Sequence, residues 1–164
     1  MPNELLEEHR GDLRADLRQG KPFASMVQEA HLNIGRTEAI LQEGLERVLK
    51  PHGISAAQYN VLRILRGAAP HGLCRNEIRD RLLSRMPDVT RLLDRMEAGG
   101  LVVRTRDTDD RRLVTARLTA RGSELVELLD APVAREHARR LGHLGDEQLG
   151  TLIRLLTLAR RPAG

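Results

Sequence analysis

Residues 106–119, RDTDDRRLVTARLT, crowd Asp107, Asp109 and Asp110 against Arg111 and Arg112, then run into alternating apolar residues. Carboxylates at this spacing can hold guanidinium groups in a fixed orientation, so that the arginines reach something negatively charged. The plain alternative is a solvated loop tip of mixed charge. The distribution of charge along the chain favours the first reading. Arg75 to Arg121 contains 12 basic and 8 acidic residues, whereas the remainder of the chain carries 15 of each. The whole formal net charge of +4 therefore sits in the segment that holds this stretch. Localised positive charge is the electrostatic footprint of a polyanion partner.

Other chemistry finds little support. The chain has no glycine-rich phosphate loop, nucleophile elbow or HExxH motif, so no enzymatic reaction and no cofactor are expected. The six histidines form no i, i+4 pair, and a single cysteine, Cys74, excludes an intrachain disulfide and a multi-cysteine metal site. No metal is expected. Phe23 and Tyr59 are the only aromatic residues, which disfavours stacking on single strands or RNA loops and leaves duplex DNA as the polyanion. With 40% hydrophobic and 30% charged residues the composition is globular. No apolar run reaches membrane-spanning length, and the acidic start MPNELLEEHR lacks a signal-peptide core, so a cytoplasmic location is expected.

The elements that must position the charged stretch follow from periodicity. Leu6, Leu13 and Leu17 mark a marginal helix over 3–18, interrupted by Gly11. A long amphipathic pattern starts at Phe23, passes through Met26, Ala30, Ile34, Leu41 and Leu45, and ends before Pro51 and Gly53. Ser55 with Gln58 three residues on predicts a capping box for a helix that buries Tyr59, Leu62 and Leu65. GAAPHG (67–72) is a turn, and a short helix from Cys74 to about Leu83 follows. Pro87 is placed as a first-turn residue of the next helix. There Val89, Leu92, Leu93 and Met96 share an apolar face, while Asp88, Thr90, Arg91, Asp94 and Arg95 face away. Gly99–Gly100 ends it. The period then changes to 2 on both sides of residues 107–112, predicting a two-stranded hairpin. Thr119 opens a helix to about Leu129, which Pro132 breaks or restarts, and 145–161 forms a terminal helix with Leu149, Leu152, Ile153 and Leu156 on one face.

Short helix, turn, second helix with a polar outer face, then a hairpin is the order of a winged helix-turn-helix. The second helix would lie in the DNA major groove and the hairpin would touch the backbone or the adjacent minor groove. The expected architecture is mainly α with a small β-hairpin wing. It assigns 1–54 to N-terminal dimerisation helices, 55–119 to the DNA-binding domain and 120–164 to a C-terminal linker and dimerisation helices. Candidate DNA contacts are Ser84 and Arg85 ahead of the recognition helix, Asp88, Thr90, Arg91 and Arg95 on it, and Arg104, Arg106, Asp110, Arg111 and Arg112 in the wing. Arginine can bind guanine bidentately, threonine can meet phosphate or a thymine methyl, and aspartate can accept from cytosine. Arg95 has a second reading, a surface pair with Asp94 or Asp88.

The stretch EIRDRLLSRMPDVTRLLDRMEAGGLVVRTRDTDDRRLVTARLTARG also resembles the core of the MarR (multiple antibiotic resistance regulator) family, closely over about 74–122. The matching pieces are PDVTRLLDRME followed by GLV, then DTDDRR, then LTARG. The resemblance implies that Asp110 braces Arg112, which enters the minor groove. It also implies a homodimer joined through its terminal helices, bound to a pseudo-palindromic double-stranded operator. Many members are released from DNA by a small phenolic or anionic effector held between the dimer helices and the winged domain. Here that cleft would be lined by parts of 26–41, 55–66 and 120–129, with Tyr59 as one wall or simply as core. The expected function is a sequence-specific transcriptional regulator, a repressor released by an effector. The alternatives are redox control through Cys74, which sits where a helix N-terminus can activate a thiol, and a helical dimeric adaptor that binds another protein.

Overall fold

The computed structural model describes residues 12–106 and 114–161. By internal contacts the chain divides into two units, Met1–Glu43 and Gly44–Gly164. The helices are α1 (Asp12–Asp16), α2 (Met26–Leu49), α3 (Ala56–Gly67), α4 (Arg75–Arg81), α5 (Val89–Ala98), α6 (Ala120–Leu141) and α7 (Gly145–Ala159). Three short strands complete the fold: β1 (Leu73–Cys74), β2 (Val102–Arg106) and β3 (Val114–Leu118).

Local chemistry explains where the helices begin. The long helix starts at Met26 rather than Phe23, because Ser25 accepts the Gln28 N–H at 3.2 Å while Gln28 Oε1 accepts the Ala24 N–H at 2.7 Å. Ser55 and Gln58 make the expected reciprocal cap, Ser55 accepting the Gln58 N–H at 3.2 Å and Gln58 accepting the Ser55 N–H at 2.9 Å. Asp88, not Pro87, opens α5: its carboxylate accepts the Arg91 N–H at 2.9 Å, so the proline lies just outside the helix. At the far end of α5, Gly100 takes φ +67, a left-handed turn that suits glycine.

The winged unit is built on one apolar core. Tyr59, Leu62 and Leu65 of α3 meet Ile78 of α4, Leu92 and Met96 of α5, and Val102 and Ala116 of the sheet. Strands β2 and β3 pair antiparallel, Val102 with Leu118 through to Arg106 with Val114. The hairpin gains a third strand that two-fold periodicity did not predict. Leu73 and Cys74 pair with Ala116 and Thr115, giving the order β1-β3-β2. Two residues are too few to display a period. This is a winged helix-turn-helix, with the sheet closing one side of the helical core.

The expected break at Pro132 does not occur; α6 runs through it from Ala120 to Leu141. A proline inside a helix loses one backbone hydrogen bond and costs ~3 kcal/mol. Val126 and Leu129 before it and Val133 after it are all buried. Each such side chain contributes ~1.5–3 kcal/mol on burial, so packing on both sides outweighs the local cost. Pro132→Ala, which restores the bond, is expected to raise unfolding free energy in urea by ~1–2 kcal/mol at matched protein concentration. A loss of stability would contradict this account of the continuous helix.

Candidate nucleic-acid interface

Helix α5 has two faces with separate duties. Val89, Leu92, Leu93 and Met96 are buried, while Thr90, Arg91, Asp94 and Arg95 are exposed. The Arg91 side chain is 84% exposed, and its Nε lies 3.0 Å from the Asp88 carboxylate. Asp88 thus caps the helix and steadies Arg91, which leaves little of it to read a base. Arg95 pairs with neither Asp94 nor Asp88; its Nε approaches the Arg91 carbonyl at 3.4 Å. Thr90 Oγ1 lies 3.5 Å from Nη1 of Arg75, the first residue of α4. Ser84 and Arg85 are exposed in the loop between α4 and α5.

The wing strands pack on this helix through the apolar core, and Arg104 ties them to its polar side. Its Nε and Nη2 donate to Glu97 Oε2 at 2.9 and 2.6 Å, and its backbone N–H donates to Glu97 Oε1 at 2.9 Å. Nη1 lies 2.7 Å from Asp94 Oδ1. One planar guanidinium on β2 therefore bridges two acids one turn apart on α5. The hydrogen bonds from the Arg104 side chain, then from its backbone N–H, hold the Glu97 carboxyl below the usual glutamate range. Arg104 was a candidate for DNA contact; its donors are committed to holding the wing. Arg106, at the end of β2, is exposed. Asp110, Arg111 and Arg112 lie outside the described residues.

Tyr59 is 5% exposed and belongs to the core, with the Arg63 guanidinium 6.0 Å from its ring centroid. Burial first, against the lowering effect of Arg63, pushes its phenol above the ordinary value. Cys74 is half-buried at the start of α4, where its backbone N–H donates to Glu77 Oε2 at 2.8 Å. A cavity of about 370 Å³ opens between α4, α5 and the sheet, lined by Cys74, Arg75, Thr90, Leu93, Arg104 and Ala116 among others. The sequence reading missed the roles of Arg75, Asp94 and Glu97. Only the last left a signal: a glutamate at the end of one helix and an arginine at the start of the next strand, across a Gly-Gly turn.

The sequence model of the MarR family matches residues 52–113, the span from the start of the winged unit into the wing. The chain is 34% identical over 130 residues to the HTH-type transcriptional repressor MdtR of Bacillus subtilis, covering 79% of this chain and 82% of that protein. It is 43% identical to a MarR transcription factor from Planctomyces limnophilus. The crystal structure of that protein superposes with a TM-score of 0.64 over 84% of this chain and 99% of the other. A cysteine-to-serine mutant of Escherichia coli MarR, solved in complex with operator DNA, is 26% identical. It superposes with a TM-score of 0.74 over 87% of this chain and all of that one.

The tie between wing and helix has a titration signature. Glu97 is held below its ordinary value, so the tie is intact above the usual glutamate range and weakens only as pH falls through that depressed value. Arg104→Ala is expected to move the Glu97 carboxyl midpoint upward, read by carbon-detected NMR. An unchanged midpoint would mean that Arg104 does not hold this carboxylate in solution.

Proposed function

The chain belongs to the MarR family, and on that premise we propose that it is a two-fold DNA-binding dimer that represses transcription from a pseudo-palindromic operator. It is a transcriptional regulator and not an enzyme. The observation that carries the reading is the outer face of α5, where Thr90, Arg91 and Arg95 are presented together beside strands fixed to the same helix. In the major groove Arg91 and Arg95 meet base edges or phosphate, and Thr90 donates to or accepts from its neighbours. Ser84 and Arg85 meet the backbone ahead of the helix. Arg106 and Arg111 meet phosphate along the wing, Asp110 braces Arg112, and Arg112 enters the minor groove, whose negative potential favours a guanidinium.

Residues 55–119 form the DNA-binding domain in this reading, and 1–54 and 120–164 supply the dimerisation helices. The apolar surface of α7 supports that assignment. None of its side chains is buried, and Ile153, Leu155 and Leu158 are 64%, 52% and 59% exposed. Covering such surface with a second copy is the isologous solution. No helix among the described residues is long and apolar enough to cross a membrane, and the cytoplasm is the compartment in which we place the protein, with its operator. The regulatory input is a small anionic or phenolic effector.

The test uses a duplex selected by the wild-type protein from a randomised pool. Arg91→Ala is expected to relax preference at one base position and to weaken binding by ~1–3 kcal/mol. Wild-type affinity and selectivity in that variant would overturn the placement of α5. In the wing, Asp110→Ala removes a negative charge, so charge alone predicts tighter binding, whereas a lost brace predicts weaker binding. Weaker binding, non-additive with Arg112→Ala, is the expected result. Tighter binding would reduce the loop to a charged tip.

A further inference from the structure

The recognition helix is anchored at its C-terminal end as well as through Arg104, and the anchor is the first turn of α6. Thr119 Oγ1 donates to the Gly100 carbonyl at 2.7 Å and accepts the Gly122 N–H at 3.0 Å. The Thr119 N–H donates to the Leu101 carbonyl at 3.2 Å. Gly122 rests directly on that carbonyl: a Cβ there would stand 2.1 Å from Leu101 O and 3.1 Å from Leu101 C. A single hydroxyl therefore caps α6 and grips the turn that ends α5. The absent side chain at 122 lets the two segments touch.

We propose that Thr119 and Gly122 are positioning residues that set the separation of the two recognition helices in the dimer. This rests on the reading of the protein as a two-fold DNA-binding dimer. Helix α6 is 22 residues long, about 33 Å at the α-helical rise, and leads from this junction toward the exposed apolar surface of α7. A second tie holds it to α3, where Arg66 grips Asp130 through two bonds of 2.7 and 3.0 Å. Those two points on α6 lie about 12 Å apart along the helix axis. Seating a methyl group at 122 in ordinary contact, about 3.4 Å from Leu101 O instead of 2.1 Å, needs a shift of about 1.3 Å at the junction. With Asp130 held, that shift is a tilt of about 6° between α5 and α6. Two-fold symmetry doubles the displacement to about 2.6 Å across the dimer, against about 3.4 Å per base-pair step of DNA. A displacement of that size misaligns the two recognition helices with half-sites at the original spacing, while each α5 keeps its own outer face.

The experiment measures affinity of the full-length protein for three kinds of duplex. These are the operator selected by the wild type from a randomised pool, the same operator with one base pair added to or removed from its centre, and a single half-site. Gly122→Ala inserts the methyl group; Thr119→Val keeps shape and removes the hydroxyl; Thr119→Ser keeps the hydroxyl and is the rescue. Circular dichroism and sedimentation confirm fold and dimer for each. Gly122→Ala and Thr119→Val are expected to keep half-site affinity, to lose ~10²-fold on the selected operator because both half-sites no longer engage at once, and so to lose the wild type's preference for that spacing over its neighbours. Thr119→Ser should match the wild type. If Gly122→Ala does not fold, Thr119→Val alone decides. A parallel loss on half-site and operator, or an unchanged spacing preference, overturns the proposal. If the wild type itself binds the operator no more tightly than the half-site, the two-fold reading fails and the positioning role falls with it.

Discussion

The alignment of the wing with helix α5 is fixed, on its polar side, by one guanidinium shared between two carboxylates. Arg104 on β2 spends Nε and Nη2 on Glu97 and Nη1 on Asp94, and Glu97 also accepts the Arg104 backbone N–H. A lysine could not do this, because only the planar fork of arginine presents several donors in fixed directions at once. The pair is not deeply buried: the Arg104 side chain is 28% exposed. Its consequence is geometric more than energetic. On the proposed placement of α5 and the wing against DNA, elements that moved independently would each pay entropy on meeting it, whereas elements joined in advance would meet it as one surface.

This division of labour resolves an apparent excess of acid in a segment that must approach phosphate. Asp88 caps α5 and steadies Arg91, while Asp94 and Glu97 hold Arg104. Each of these acids is committed to a cation of the protein itself. Arg85, Arg95 and Arg106 are exposed and pair with no carboxylate among the described residues. Among the described residues, these three arginines leave positive charge on exposed side chains, where it can steer a polyanion and release its counterions.

Much of this was legible in the residues. The apolar stripe Val89, Leu92, Leu93, Met96 fixed which side of α5 is buried, and hence which side chains are outward. The Ser55–Gln58 box and the Gly99–Gly100 stop were visible as local chemistry. Other features depend on partners distant in sequence. Strand β1 exists only because Ala116 and Thr115 offer it an edge. Helix α6 survives Pro132 only because a core lies beneath both halves. Arg104 reads as one more basic wing residue until Asp94 and Glu97 are seen to converge on it. Tyr59, which periodicity buries and only the family resemblance offers as a ligand wall, is packed inside. The charge pattern foretold the partner, but not which arginines are spent within the protein.

The central claim is that a two-fold pair of these winged units grips duplex DNA with helix and wing acting together. Hydroxyl-radical footprinting on the duplex that the protein selects from a random pool tests it most directly. The account predicts two symmetry-related protections centred one helical turn apart, about 34 Å, each flanked on its outer side by protection of the adjacent minor groove. A single protected segment, or symmetric protections without the outer minor-groove contacts, would contradict it.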